Sequence, residues 1–181
     1  MTVFIVGGAK SGKSDFAQQV ALKLAMGEKH YYVATMIPSD SESDRAIIRS
    51  HLDRRAGMGF ETIECGKDIL SCLDVADPEG TFMVDAVTTL LTNAIFPAEK
   101  NYATDEAGAE TCCEELLKFI KSVKHAVIVS DDLFRDAVRY VADTDAYRRL
   151  FGAILCRLDE SCDVVMEMAF GNLIVHKGEW K

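Results

Sequence analysis

Three observations predict an α/β layered fold with a mostly parallel sheet. Short apolar runs, Val3-Phe4-Ile5-Val6, Thr81-Phe82-Met83-Val84 and Ala126-Val127-Ile128-Val129, lack polar alternation and read as strands buried on both faces. Segments with helical spacing stand between the strands, as crossover connections require. The 181 residues, 49% hydrophobic and 27% charged, suit one domain over 1–181 with a full core.

The first strand covers residues 2–6, and from 14 to 26 Phe16, Ala17, Val20, Ala21, Leu24 and Ala25 recur on one helical face until Gly27 ends the run. Tyr31-Tyr32-Val33-Ala34 is the second strand, followed by a polar loop at 38–43. A helix over 43–55, capped by Ser or Asp, ends near Gly57. Residues 60–64 alternate as a strand, 68–73 form a short helix, and Pro78-Glu79-Gly80 turns into the strand 81–85. Helices over 88–96 and 105–123 precede the strand 126–130. Two more helices are expected at 133–141 and 145–158. Residues 164–169 and 173–176, broken by Gly171-Asn172, read as a terminal β-hairpin.

Composition narrows function. A net charge of −9 argues against a broad electrostatic grip on nucleic acid. The six cysteines include no C-x-x-C pair and only four histidines are available, so reduced thiols in cytoplasm are expected rather than a metal cluster. No apolar run approaches the length of a membrane span, and the chain enters its first strand without a signal-peptide pattern, so a cytoplasmic protein is expected.

The stretch Gly7-Gly8-Ala9-Lys10-Ser11-Gly12-Lys13-Ser14 lies between a strand and a helix. Its Gly7, Gly12, Lys13, Ser14 spacing fits a P-loop, a pattern that arises by chance roughly once in a couple of hundred chains of this length. The glycines let backbone N–H groups face a di- or triphosphate at the positive end of the helix. Lys13 reaches the β and γ phosphates, and Ser14 holds a Mg²⁺ that bridges them. The predicted architecture is therefore a P-loop NTPase-like three-layer fold with a C-terminal hairpin, and the expected ligand is ATP or GTP with Mg²⁺.

Two carboxylate positions compete to order the metal. Asp85 and the pair Asp131-Asp132 each end an apolar strand, and either also suits a helix cap. His51 shares a helical stripe with Ile47 and Arg55, with Arg45, Arg49 and Arg54 on the same element. That combination suits a second phosphate-handling site, where a neutral imidazole attacks phosphorus beside guanidinium groups. A solvated histidine on a basic helix is the alternative.

The glycine-rich stretch, Tyr32-Val33-Ala34-Thr35, the helix with His51 and Arg55, Glu61-Thr62-Ile63-Glu64, and Asp85-Ala86-Val87-Thr88-Thr89-Leu90-Leu91-Thr92-Asn93 together resemble the bifunctional adenosylcobinamide kinase / adenosylcobinamide-phosphate guanylyltransferase family of cobalamin biosynthesis. The resemblance implies that a P-loop triphosphate phosphorylates adenosylcobinamide, and that GTP guanylylates a histidine, which passes GMP to the new phosphate. It implies His51 as that histidine, Lys13 and Asp85 as catalytic, Ser14 and Asp85 at the metal, and Arg55 and Glu64 at the nucleotide. It also implies a corrinoid substrate and a homotrimer.

The last third departs from the family. Asp131-Asp132 and then Leu133-Phe134-Arg135-Asp136-Ala137-Val138-Arg139 stand where the family has Asn-Glu and a Gly-rich loop, and Leu155-Cys156 replaces an Asn-Gln pair. Ile47 stands where an arginine is usual.

Overall fold

The computed structural model describes residues 1–38 and 41–180, apart from the side chains of Ser43, Ile47 and Arg54. Part of the polar loop expected at 38–43, and the Ile47 and Arg54 side chains of the His51 helix, therefore lie outside the described residues.

The elements follow the order β1 (Thr2–Gly7), α1 (Lys13–Ala25), β2 (His30–Ala34), α2 (Glu42–Arg55), β3 (Glu61–Glu64), a 3-10 turn (Ile69–Asp74), β4 (Thr81–Asp85), α3 (Val87–Ile95), a second 3-10 turn (Ala98–Lys100), α4 (Glu106–Ser122), β5 (His125–Asp131), α5 (Ala142–Ser161), β6 (Val164–Ala169) and β7 (Asn172–Lys177). The sheet order is β3-β2-β4-β5-β1-β6-β7. The pairs from β3 through β6 are parallel, and β7 closes the edge antiparallel to β6.

Alternation along the strands divides the core into two layers. Val3 and Ile5 join Val127, Val129 and Met83 under α1, where Ala17, Val20 and Ala21 pack. Phe4, Phe82, Val84 and Ile128 point the other way, into a larger layer formed with Leu90 and Leu91 of α3, Leu116 and Phe119 of α4, and Phe151 and Leu158 of α5. Apolar surface on both faces is why these strands read as continuous hydrophobic runs. Adjacent tyrosines of β2 separate in the same way. Tyr31 stacks on Phe82 with ring centroids 4.7 Å apart and accepts from the Asp77 N–H at 3.0 Å, whereas Tyr32 belongs to the α1 side.

Local signals account for the helix ends. Ser41 caps α2 by accepting from the Asp44 N–H at 3.1 Å, and Asp105 caps α4 through the Gly108 N–H at 3.2 Å. Of the described α2 side chains only Arg55 is buried.

One expected element does not form. Residues 133–141 are irregular rather than helical. Phe134 stacks on Phe151, Arg135 bonds both Asp132 and Glu167, and Asp136 pairs with Arg148, so tertiary contacts pull the segment out against α5. α5 correspondingly begins at Ala142 and runs past 158 to Ser161, longer than its spacing predicts.

Candidate active site at the carboxyl ends of the strands

Register brings the site together. Gly7 of β1 lies opposite Asp131 of β5, Asp85 of β4 opposite Val129, and Ala34 of β2 opposite Asp85. The carboxyl ends of β2, β4, β5 and β1 thus open into one cleft of about 980 Å³, the usual ligand position in such sheets.

After β1 the chain turns tightly, with the Ser11 N–H donating to Gly8 O at 3.2 Å and Lys10 and Gly12 at positive φ. Gly12 has φ 86° at the head of α1, and no side chain caps that helix, which leaves its first amides to an anion. Gly7 is required by a close approach. A Cβ there would meet Met168 O of β6 and Ser11 Oγ, each at 2.7 Å. Ser11 Oγ is buried and has no hydrogen-bond partner among the described residues.

Lys13 is buried, and its Nζ sits 2.7 Å from Asp131 Oδ1 and donates to Gly8 O at 3.3 Å. Ser14 Oγ donates to Asp85 Oδ1 at 3.4 Å. The two carboxylates that compete in the sequence therefore divide the work: Asp85 meets Ser14 and Asp131 meets Lys13. Asp132 instead bonds Arg135.

His51 shares this cleft rather than building a separate site. Its Nδ1 lies 3.3 Å from the Tyr32 hydroxyl, which donates to Asp85 Oδ2 at 2.9 Å. Burial, and then the Asp85 charge, push the Tyr32 phenol far above its ordinary range, so it stays protonated. The Arg55 guanidinium lies 3.9 Å from the Tyr32 ring centroid and donates to Thr62 Oγ1 at 3.2 Å. Of the described arginines on α2, Arg55 alone lines the cleft; Arg45 and Arg49 are exposed. Glu64 is exposed at the end of β3 and does not line the cleft.

Several contributors stand in the motifs that carry the family resemblance but have no role assigned from the sequence. Tyr32 is one. The Thr88-Thr89 stretch is another, since Thr88 Oγ1 accepts from the Asp131 N–H at 2.8 Å and Thr89 lines the cleft. Asn93 donates to Thr35 O and Gly66 O, each at 3.0 Å, and so joins the loops that follow β2 and β3. Thr35 and Ala86 exchange two bonds, with Thr35 Oγ1 donating to Ala86 O at 2.8 Å and accepting from the Ala86 N–H at 2.9 Å. For Thr35, Ala86, Thr88 and Thr89 the available signal is position, within a few residues of the carboxyl end of a strand; Tyr32, in the middle of β2, and Asn93, within α3, carry no such signal.

The chain is similar in fold to solved structures of other proteins. Two of them are the flagellar accessory protein FlaH from Methanocaldococcus jannaschii (TM-score 0.53, 11% identity, 99% of this chain and 81% of that one) and the RadB recombinase (0.51, 18%, 99% and 81%). At these identities the likeness is one of architecture, a P-loop NTPase-like α/β fold. No curated protein sequence matches the chain at a significant level. The sequence model of CobU, cobinamide kinase / cobinamide phosphate guanyltransferase, matches residues 3–175, a span holding the glycine turn, His51, Asp85 and Asp131. With nearly its whole length matched, the chain belongs to this cobinamide kinase / cobinamide phosphate guanyltransferase family, the enzymes of cobalamin biosynthesis.

Proposed function

We propose that the chain runs both reactions of its family from one cleft in a single nucleotide-binding domain spanning 1–181, with His51 as the guanylyl carrier. A triphosphate, ATP or GTP, lies with its phosphates on the amides of the glycine turn and phosphorylates the aminopropanol hydroxyl of adenosylcobinamide. GTP then gives GMP to His51, which passes it to the new phosphate to yield adenosylcobinamide-GDP. The observation that carries this reading is the line of contacts from Ser14 to Asp85, from Asp85 to Tyr32 and from Tyr32 to His51.

Each residue has a part. Lys13 exchanges Asp131 for the β and γ phosphates, and the turn amides hold the rest of the tail. Phosphoryl transfer asks little of a protein beyond such positioning and charge neutralisation. Ser14 Oγ and Asp85 Oδ1 are hard oxygen donors 3.4 Å apart, a pair that suits Mg²⁺. When bound there, the ion neutralises phosphate charge. No group of three or more histidine, cysteine or acidic side chains gathers for a metal among the described residues, so phosphate and water complete such a site. Arg55 covers the Tyr32 ring whose hydroxyl meets His51, and Arg55 and Glu64 enter through the resemblance as nucleotide contacts. Guanylyl transfer through an imidazole divides one displacement into two. The same reading makes the partners a nucleoside triphosphate and a corrinoid, the compartment the cytoplasm, and the assembly a homotrimer, with no nucleic-acid or membrane partner.

The test is incubation with GTP labelled at the α-phosphate and Mg²⁺. The expected result is acid-labile, base-stable label on the protein, absent from His51→Ala, while that variant still phosphorylates adenosylcobinamide. Label that survives in His51→Ala overturns the carrier assignment, and phosphate transfer to the corrinoid with no labelled protein reduces the reading to a kinase.

A further inference from the structure

The contact between Tyr32 and His51 fixes more than distance. The phenol has one proton, and a carboxylate has none to give. With the Tyr32 hydroxyl donating to Asp85 Oδ2 at 2.9 Å, its oxygen has only lone pairs left for His51 Nδ1 at 3.3 Å. The hydrogen bond closes only if Nδ1 carries the proton and donates it to the phenol oxygen. The phenol itself has little freedom to turn away. Tyr32 is 2% exposed, Arg55 covers its ring at 3.9 Å, and Arg55 is held in turn by Thr62 at 3.2 Å.

We infer that Tyr32 is a positioning residue that sets the tautomer of His51, keeping the proton on Nδ1 and leaving the Nε2 lone pair as the nucleophile. The inference rests on the proposed reading of His51 as the guanylyl carrier. In the first transfer, Nε2 forms a bond to the α-phosphorus of GTP, the bond from that phosphorus to the α,β-bridging oxygen breaks, and pyrophosphate leaves with the electron pair. The ring keeps its Nδ1 proton and takes on positive charge, which the phenol oxygen and, behind it, Asp85 stabilise. In the second transfer, an oxygen of the corrinoid phosphate attacks the same phosphorus, the Nε2–P bond breaks, and His51 returns with its proton still on Nδ1. No proton has to be moved by the protein in either step. The ring nitrogen that reacts is thus chosen by the hydrogen bond made by the other nitrogen.

Nitrogen-15 NMR of the full chain, labelled in histidine and held at pH 8.5 without nucleotide or metal, tests the tautomer directly. Four histidines are present, and His51→Gln identifies the His51 signals. The expected wild-type pattern is a protonated Nδ1 and an unprotonated Nε2. Tyr32→Phe keeps the ring and removes the acceptor, so its His51 should revert to the Nε2–H form. Its rate of labelling from GTP should fall roughly ten- to a hundredfold, the loss of one hydrogen bond to a charged group. In labelled wild type the phosphorus should be on Nε2, read by NMR of the digested peptide under alkaline conditions.

An Nε2–H pattern in wild type overturns the tautomer assignment whatever the label does, and needs no variant to fold. Phosphorus on Nδ1, or a Tyr32→Phe protein with unchanged tautomer and labelling rate, overturns it too. Absence of label from wild type with the Nδ1–H pattern intact instead defeats the carrier reading and leaves the tautomer assignment standing.

Discussion

The glycine turn contains three glycines whose reasons for being glycine differ, and alanine substitutions should separate them. At Gly7 the obstacle is backbone. A Cβ would lie 2.7 Å from Met168 O, and Met168 is the residue of β6 paired in register with Gly7, so relief means moving one strand against the other. The second contact, Ser11 Oγ at 2.7 Å, belongs to the turn itself. Overpacking of this kind costs about 1–3 kcal/mol. A domain of this size loses roughly 2–4 °C in Tm per kcal/mol. For Gly7→Ala we expect about 2 kcal/mol, or roughly 4–8 °C. At Gly12 space is available, since the nearest atom, Met168 Cε, lies at 4.0 Å, but φ is +86°. A left-handed alanine costs about 1 kcal/mol, or roughly 2–4 °C. At Gly8 nothing lies within 4 Å and φ is not in the left-handed range, so Gly8→Ala should stay within about 0.5 kcal/mol of the parent. Urea and thermal unfolding of nucleotide-free protein measure all three. Equal losses at the three positions, or a larger loss at Gly8 than at Gly7, would refute the close approach of β1 and β6 as the reason for the first glycine.

Three further outcomes are expected. Asp131→Asn removes the carboxylate that competes with phosphate for Lys13, so triphosphate affinity measured by calorimetry should rise about fivefold, with at most about 1 kcal/mol lost from the nucleotide-free protein, because Asp131 is about one-third exposed; unchanged or weaker affinity counts against the competition. Asp163 accepts from the Thr2 N–H at 2.7 Å, which, ahead of its other partners, holds its carboxyl below the usual carboxylate range. The stabilisation is present above about pH 4 and is lost as pH falls through the lowered folded value, so Asp163→Ala should cost up to about 1 kcal/mol at pH 7 in urea titrations and progressively less as the solution is acidified below about pH 4. Of the six cysteines only Cys156 is exposed, and burial pushes the Cys112 and Cys162 thiols up to about 12, so a thiol reagent should modify one site quickly in native protein and all six after unfolding.

The sequence was most informative where one local signal decided the outcome. Val3 to Val6 had no polar alternation, and it is a strand covered on both faces; the glycine spacing after it is the turn that opens the cleft. The segment 133–141 failed for the opposite reason. Leu133, Phe134, Ala137, Val138 and Val141 have acceptable helical spacing, but Phe151, Glu167 and Arg148, which hold the segment extended, come from α5 and β6 and are remote in the chain. Asp85 and Asp131 looked equivalent because each ends an apolar strand. Their difference comes from strand order, with β5 between β1 and β4 and Asp131 therefore beside Lys13. Tyr32 was legible as a strand residue and as part of a resembling motif, but not as a partner of Asp85 and His51, which lie 53 and 19 residues away.

The paired tyrosines of β2 tie the reliability of the scaffold to that of the chemistry. Tyr31 anchors one layer of the core and Tyr32 faces the opposite side, so a slip of β2 by one position would leave only one of the two places filled by a tyrosine. An extra residue inserted in the Gly27 to Lys29 turn and carried into the strand as a slip would set His30 against Phe82, whereas a deletion there would leave Asp85 and His51 facing Val33. Two aromatic neighbours of the same type, which look redundant on paper, thus have separate duties, and the length of an ordinary surface turn keeps both places filled.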